Sequence, residues 1–374
     1  MGKCVGILTA GGDSPGLNAA IRAAGRALAH AGYRLTGFKD GFEGLAFDRW
    51  VALDEHTFSG ILTIGGTILR TSRNKPNKMP VGKKLLDMTD AIIETYHKHQ
   101  LEALICIGGG GTHKSALLLK KAGINLVTIP KTIDNDIAGT SGSIGFDTAL
   151  DVATGAIDSL HSTASSHKRI MLVEIMGHKA GWLTLGSAIA GGADVVLLPE
   201  FPYHLESVVN ALKTRAREGK LFSIVPVAEG AVDVETAAEI AKLEGELAAL
   251  PEDDKKSRIE LKTRLEELTA YRPERIFELA RQLEARTGLE TRVTILGYLQ
   301  RGGKPSCFDR LLASQLGTRA AQAVIHGEFG NMVAFVQGKT KLVPIEEVAG
   351  LRKLVTPDHP WVTCARELGI CFGE

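Results

Sequence analysis

The sequence predicts an α/β protein: two three-layer αβα domains with mainly parallel sheets, plus one inserted helical hairpin. Three observations carry this. Apolar runs of strand length alternate with segments of helical spacing, glycine-rich loops follow several of those runs, and one charged, glycine-poor segment interrupts the alternation. The arrangement is Rossmann-like, with helices on both sheet faces and ligands outside the carboxyl ends of the strands.

The elements follow in order. Val5–Leu8 is an apolar run that ends in Thr9-Ala10-Gly11-Gly12-Asp13-Ser14-Pro15-Gly16, and a helical pattern follows from about Leu17 to His30. The order recurs with a strand at Ala103–Ile107, glycines at 108–111 and a helix near His113–Lys121. Leu126–Ile129 is the next strand and leads into Lys131-Thr132-Ile133-Asp134-Asn135-Asp136. In the second half, Arg169–Ile175 reads as a strand, followed by Met176-Gly177-His178-Lys179-Ala180-Gly181 and a helix. Val195–Leu198 and Leu221–Ala228 read as further strands, the latter ending at Glu229-Gly230. Two such domains are expected to face each other across a cleft.

The segment from about Asp233 to Tyr271 is dense in Glu, Lys, Arg and Ala. Ile240, Leu243, Leu247 and Leu250 recur at helical spacing, Pro251-Glu252-Asp253-Asp254 breaks the pattern, and Ile259, Leu261, Leu265 and Leu268 resume it. A helical hairpin inserted over 233–271 is expected, either a solvated antiparallel pair or a contact for an oligomer or partner.

Bulk properties exclude several function classes. The chain has 374 residues, 44% of them hydrophobic, enough for two or three domains with a large core. Lys plus Arg is 44 and Asp plus Glu is 43, so no global basic field points to nucleic acid. The apolar runs are too short to span a bilayer. The first residues, Met1-Gly2-Lys3-Cys4, lead into a strand without a secretory h-region, and Gly6 stands where a myristoylation signal needs Ser or Thr. Five scattered cysteines without CxxC spacing suit reduced thiols, and a cytoplasmic protein is expected.

The chemistry concentrates in the 131–136 run. It places two carboxylates two residues apart after a strand and a proline, downstream of Gly108-Gly109-Gly110-Gly111-Thr112. A base beside a glycine-lined anion site is what phosphoryl transfer needs. Gly11–Gly16 is neither a Walker loop nor GxGxxG, and reads either as a plain turn or as an anion site at a helix N-terminus. Gly65-Gly66 is followed by Arg70 and Arg73, whose guanidinium groups suit phosphate oxygens.

Together these motifs resemble the phosphofructokinase family. The matching residues are Gly11 to Arg22, Pro130 to Asp136, Gly145-Phe146-Asp147-Thr148-Ala149, Glu174 to His178, Ala228-Glu229-Gly230 and Leu296 to Gly303, in that order over almost the whole chain. The resemblance implies a phosphoryl-donor domain over 1–140 and a sugar-phosphate domain over 141–374, with the chain crossing back to the first near 290–310. It implies a glycolytic kinase that phosphorylates the 1-hydroxyl of fructose 6-phosphate. Asp134 would be the general base, with Thr132 and Lys131 at the transferred phosphoryl group and Asp136 at Mg2+. Gly12, Arg73, Gly109, Gly110, Gly111 and Thr112 would hold the donor. Arg169, Arg292 and Arg301 would grip the sugar phosphate, the first two from a neighbouring subunit of a homo-oligomer, a tetramer or a dimer. Met176, Gly177, His178 and Glu229 would line the sugar, and Tyr298 stands where some members carry His.

Two positions bear on the donor. Gly111 leaves room for the α-phosphate of ATP where pyrophosphate users carry Asp, whereas Lys131 stands where typical ATP users have Gly. The chain thus resembles the ATP-dependent subset with Gly and Lys at these two places. A pyrophosphate-dependent enzyme and a non-catalytic regulatory member are the alternatives. Gly110 replaces the Asp that typical members use as a magnesium partner, which leaves Asp136 as the main protein contact. The resemblance also bears on an effector site. Arg22, Arg26 and Lys220 match basic residues of the bacterial pattern, but Glu55, Glu218 and His161 do not, so weak control by ADP and phosphoenolpyruvate is expected.

Overall fold

The computed structural model describes residues 3–251 and 253–374. Met1 and Gly2 of the amino-terminal reading, and Glu252 of the break in the hairpin, lie outside the described residues.

The strands in chain order are β1 (Cys4–Ala10), β2 (Arg34–Phe38), β3 (Trp50–Leu53), β4 (Met79–Val81), β5 (Lys84–Leu86), β6 (Leu101–Gly108), β7 (Leu126–Pro130), β8 (Ile170–Ile175), β9 (Ser223–Ala228), β10 (Thr291–Ile295), β11 (Asn331–Val336) and β12 (Lys339–Pro344). The chain divides into two compact units, one of Met1–Ala149 with Tyr298–Lys353, the other of Leu150–Gly297 with Leu354–Glu374.

The first unit holds a seven-stranded sheet ordered β12-β11-β7-β6-β1-β2-β3. The strands from β11 to β2 pair in parallel, and each edge adds one antiparallel strand. All seven residues of β1 are buried, as expected of a central strand covered on both faces. Alternation along β6 splits the core in two. Ile105 and Ile107 pack with the helices Leu17–His30 and Cys307–Ile325, whereas Leu104 and Cys106 pack on the other face with residues of Phe42–Ala46 and Gly110–Lys121. Two helices approach closely at Gly317, where a Cβ would lie 2.7 Å from the Ala20 carbonyl oxygen. The sheet order reverses between β1 and β6, whose last residues Ala10 and Gly108 are partners. Such a switch point opens a crevice at the carboxyl ends of the two strands.

The return of the chain to this unit is longer than a crossing near 290–310. Residues 298–353 belong to it and add two strands to its sheet.

The second unit holds the parallel sheet β10-β8-β9. One face packs on residues of the helices Leu205–Arg217 and Glu274–Thr287. Val195–Leu198 departs from the expected strand. It makes isolated bridges, Val195 to Cys371, Leu197 to Val227 and Leu198 to Phe201, to three different partners rather than along one continuous strand. The helices Val234–Ala249 and Lys255–Thr269 pack against each other in this unit, tied by an Arg264–Glu239 ion pair of 2.6 Å. Asp233 and Asp254 cap their N-termini through Thr236 N–H and Ser257 N–H. Leu243 is their one buried side chain, and Ile259 is 66% exposed. All five cysteines are free thiols.

Candidate functional site

The crevice at the switch point is a cavity of about 310 Å3 in the first unit. Loops from three adjacent strand ends line it. After β1, Gly11 takes φ +87° and its loop is tied down by two bonds. Gly11 N–H donates to the Ser72 carbonyl at 2.9 Å, and Thr71 Oγ1 donates to the Gly11 carbonyl at 2.7 Å. That brings the Arg70–Arg73 segment to the cavity, where Arg73 lines the wall. A side chain at Gly12 would meet Arg301 Nη1 at 2.5 Å, so the glycine lets that guanidinium in. Arg301 Nη1 donates to the Asp13 carbonyl at 3.1 Å, while its buried Nε finds no protein acceptor.

After β6, the glycines do different jobs. A Cβ at Gly108 would lie 2.1 Å from Thr112 Oγ1 and 2.6 Å from the Ala10 carbonyl oxygen, so packing demands glycine there. Gly110 and Gly111 open the helix Gly110–Lys121, and a Cβ at either would meet nothing within 4 Å. Neither has positive φ, so the fold itself does not require glycine at these two places. They leave empty space in front of a helix N-terminus that no side chain caps, and such an end favours anions. His113, fully buried behind it, is held well below the ordinary histidine pKa, at about 4, by burial.

After β7, Lys131 is buried, and its Nζ donates to the carbonyls of Gly12 and, at 3.4 Å, Ala10. Two of its three N–H groups are thereby used inside the protein. Burial, helped by the Arg301 charge, lowers its pKa to about 8, while Asp13 and Asp134 partly oppose the shift. Asp134 N–H donates to Thr132 Oγ1 at 3.1 Å, and Ser143 Oγ holds the Thr132 carbonyl at 2.8 Å. Asn135 sits at φ +51°, which turns the chain between the two aspartates. Asp134 and Asp136 both line the cavity, and Arg352 Nε lies 4.0 Å from Asp136 Oδ2. Gly12, Arg73, Gly109, Gly110, Gly111, Thr112, Lys131, Thr132, Asp134, Asp136 and Arg301 therefore meet in one place. A second cavity of about 440 Å3 adjoins it, sharing Lys75, Gly110, Gly111, Ser115 and Asp136, and adds the cations Lys78, Lys114 and Arg352. Sequence reasoning missed these three, which belong to no glycine motif.

The second unit carries Arg169, Met176, Gly177, His178, Glu229 and Arg292, at the two ends of the strands of one sheet. At the carboxyl edge, Met176, Gly177 and His178 follow β8, and Glu229 follows β9. Glu229 Oε1 accepts from His178 N–H at 2.9 Å and from Gly177 N–H at 3.4 Å. This holds a turn with φ +149° at Gly177 and +50° at His178. A Cβ at Gly230 would strike the His178 carbonyl oxygen at 1.8 Å. At the opposite edge, Arg169 precedes β8, and Arg292, on β10, pairs with Met171. Glu290 bridges the two arginines. It accepts from Arg169 Nε at 2.8 Å and Nη2 at 3.1 Å, and from Arg292 Nη2. The pairing holds the Glu290 carboxyl below its usual pKa. Sequence reasoning missed Glu290, which precedes β10 by one residue and belongs to no motif.

Tyr298 belongs to the first unit and is 81% exposed. No group of three or more His, Cys, Asp or Glu able to hold a metal occurs among the described residues, and no helix of those residues is long and apolar enough to cross a membrane.

Comparison with known proteins gives these features a family. The profile described as Phosphofructokinase matches residues 4–324. The chain is 53% identical over 375 residues to a protein named ATP-dependent 6-phosphofructokinase from Propionibacterium freudenreichii subsp. shermanii, with 100% of both chains covered. Pichia pastoris phosphofructokinase, solved in the T-state, matches 93% of this chain with TM-score 0.77 and 29% identity, the match spanning 35% of that chain. A pyrophosphate-dependent phosphofructokinase from Marinobacter aquaeolei matches 98% of this chain and 92% of its own with TM-score 0.77 at 18% identity, which speaks to the fold alone.

Proposed function

The chain belongs to the phosphofructokinase family, and on that premise we propose that it transfers the γ-phosphoryl group of ATP to the 1-hydroxyl of fructose 6-phosphate in glycolysis, in the cytoplasm. The observation that carries this is the single cavity in which Asp134 meets an uncapped helix N-terminus and the buried Lys131. One group is a base, and the others are fixed positive ends of the kind that stabilise charge on a transferring phosphoryl group.

In this reading the carboxylate of Asp134 accepts the proton of the 1-hydroxyl as that oxygen attacks the γ-phosphorus. The new O–P bond forms as the bond to the β-phosphate oxygen breaks, and ADP leaves. Lys131 directs its remaining N–H at the phosphoryl oxygens, with Thr132 beside it and Arg301 close by at the Gly12–Asp13 turn. Gly12, Arg73 and Gly109 to Thr112 hold the donor. The Asp136 carboxylate on the cavity wall fits Mg2+, which keeps several waters and binds through one or two carboxylates plus substrate phosphates. Asp136 would be its protein contact, and the ion would neutralise charge on the phosphate oxygens. Gly110 adds no carboxylate, but the space before it is open.

ATP is favoured over pyrophosphate by two features. The open space at Gly111 admits an α-phosphate. The adjoining cationic cavity gives room for the rest of a nucleotide, which pyrophosphate does not need. The fold does not decide the donor, because a pyrophosphate-dependent relative shares it. The assembled Asp134, Lys131 and Arg301 argue against a non-catalytic regulatory role.

Met176, Gly177, His178 and Glu229 would hold the sugar, with Tyr298 donating a further hydrogen bond. Arg169 and Arg292 lie at the far edge of that sheet, so in this reading they serve the site of a neighbouring subunit in a homo-oligomer. Substitution of the base tests the assignment. Asp134→Asn is expected to lower kcat by roughly 10²–10⁴-fold, with fructose 6-phosphate still binding by calorimetry. Retained turnover contradicts it.

A further inference from the structure

We propose that Tyr271, delivered by the inserted hairpin to the end of β8, is a positioning residue for the sugar-phosphate site, holding Glu174 so that Glu229 stays on the Gly177–His178 turn. The inference rests on Glu229 being a sugar-binding residue, as read above.

Tyr271 follows the helix Lys255–Thr269 by two residues, and its hydroxyl donates to Glu174 Oε1 at 2.6 Å. The tyrosine is 46% exposed and Glu174 only 6%, so the ring covers a buried carboxylate from the solvent side. Glu174 lies on β8 next to Ile175, whose carbonyl accepts from Glu229 N–H at 2.9 Å. The two glutamates also feel each other directly. Burial and the Glu229 charge both push the Glu174 pKa up, and the phenol bond opposes them.

The titratable groups facing this pair come from three elements. They are Glu229 after β9, Tyr271 at the hairpin base and Glu274 at the start of the helix Glu274–Thr287. None of them is a cation, so the phenol is the group that keeps a negative Glu174 tolerable. Without it, Glu174 takes up a proton more readily and becomes a donor, and the Glu229 carboxylate is then drawn towards it. Every bond that Glu229 accepts from Glu174 competes with the N–H groups of Gly177 and His178, which sit at positive φ and need that anchor. The inserted hairpin is thereby part of the sugar site rather than a solvated appendage.

The test is Tyr271→Phe, which keeps the ring and removes the hydroxyl, assayed from about pH 6 to about 8.5 with wild type alongside. The KM for fructose 6-phosphate is expected to rise about fivefold at the acid end and less at the alkaline end, with kcat and the KM for ATP within about twofold of wild type. Glu174→Gln should raise the same KM at every pH, and adding Tyr271→Phe to it should change little further. Arg264→Ala, which cuts the ion pair within the hairpin, serves as the control and leaves the KM unchanged. A Tyr271→Phe enzyme with wild-type KM at every pH overturns the proposal, as does an equal effect on kcat or additivity with Glu174→Gln. A wild type that binds no fructose 6-phosphate overturns the site reading itself, and this inference with it.

Discussion

Arg169 and Gly177 stand at opposite ends of one strand: β8, Ile170–Ile175, separates them, and neither end of a strand can fold back on the other. At roughly 3.3 Å per residue the six residues of β8 put the two edges about 20 Å apart. A single fructose 6-phosphate cannot touch both within one chain, so a site that uses both needs two chains.

Mixed oligomers test this. Asp134→Asn and Arg169→Ala are each expected to be inactive alone. In a hybrid pair with shared sites, one site carries both lesions and the other carries neither, so activity returns on mixing dissociated subunits. If Arg169 serves its own chain, every site keeps one lesion and mixing restores nothing.

Gly111 separates ligand sterics from folding. A side chain there meets no protein atom within 4 Å, so Gly111→Asp should fold like wild type. The new carboxylate would face the donor phosphates, and the KM for ATP should rise tenfold or more, about 1.4 kcal/mol, with the KM for fructose 6-phosphate little changed. Gly108→Ala is the contrast. Its Cβ would strike Thr112 Oγ1 and the Ala10 carbonyl oxygen, and the expected loss is in stability by denaturant titration.

Lys131 should give a pH signature. Its pKa falls from 10.5 to about 8 in the folded state because it is buried. Between those values the unfolded chain binds more protons, so this residue's contribution to stability rises with pH across that window. Activity runs the other way, since the charged form is the one that holds phosphate. The kcat/KM for ATP is expected to fall as pH climbs through about 8. Lys131→Met should lose about 10²-fold in kcat/KM and the alkaline limb with it. A limb that survives in Lys131→Met contradicts the assignment and points to Lys353, which burial also lowers to about 8.

Asp309 is structural. It is fully buried and accepts from Gly145 N–H, Thr148 N–H and Thr148 Oγ1 at 2.8, 2.8 and 2.5 Å. It thus caps the helix Phe146–His167 from another helix. Asp309→Ala leaves three donors without a partner and should cost about 3 kcal/mol in urea unfolding.

Much of this was legible in the chain because local patterns carry it. The helix Leu17–His30 has the bounds that its apolar spacing predicts, and the glycine loops sit at the strand ends where their composition puts them. The rest depends on long-range pairing. Nothing near Lys339–Pro344 tells that this strand edges a sheet begun at Cys4, and Lys78, Lys114 and Arg352 converge only through folding. Val195–Leu198 has a strand's composition but pairs only in isolated bridges, with Cys371, Val227 and Phe201, of which the first two join it to distant parts of the chain. The Tyr271–Glu174 bond joins residues 97 apart in sequence.

Phosphoryl transfer from ATP to fructose 6-phosphate is the activity on which the site's chemistry converges. The most direct measurement is the initial rate of fructose 1,6-bisphosphate formation with ATP and with pyrophosphate, each with and without Mg2+. Turnover is expected with ATP and Mg2+, and little with pyrophosphate. Turnover with pyrophosphate alone, or with neither donor, would contradict it.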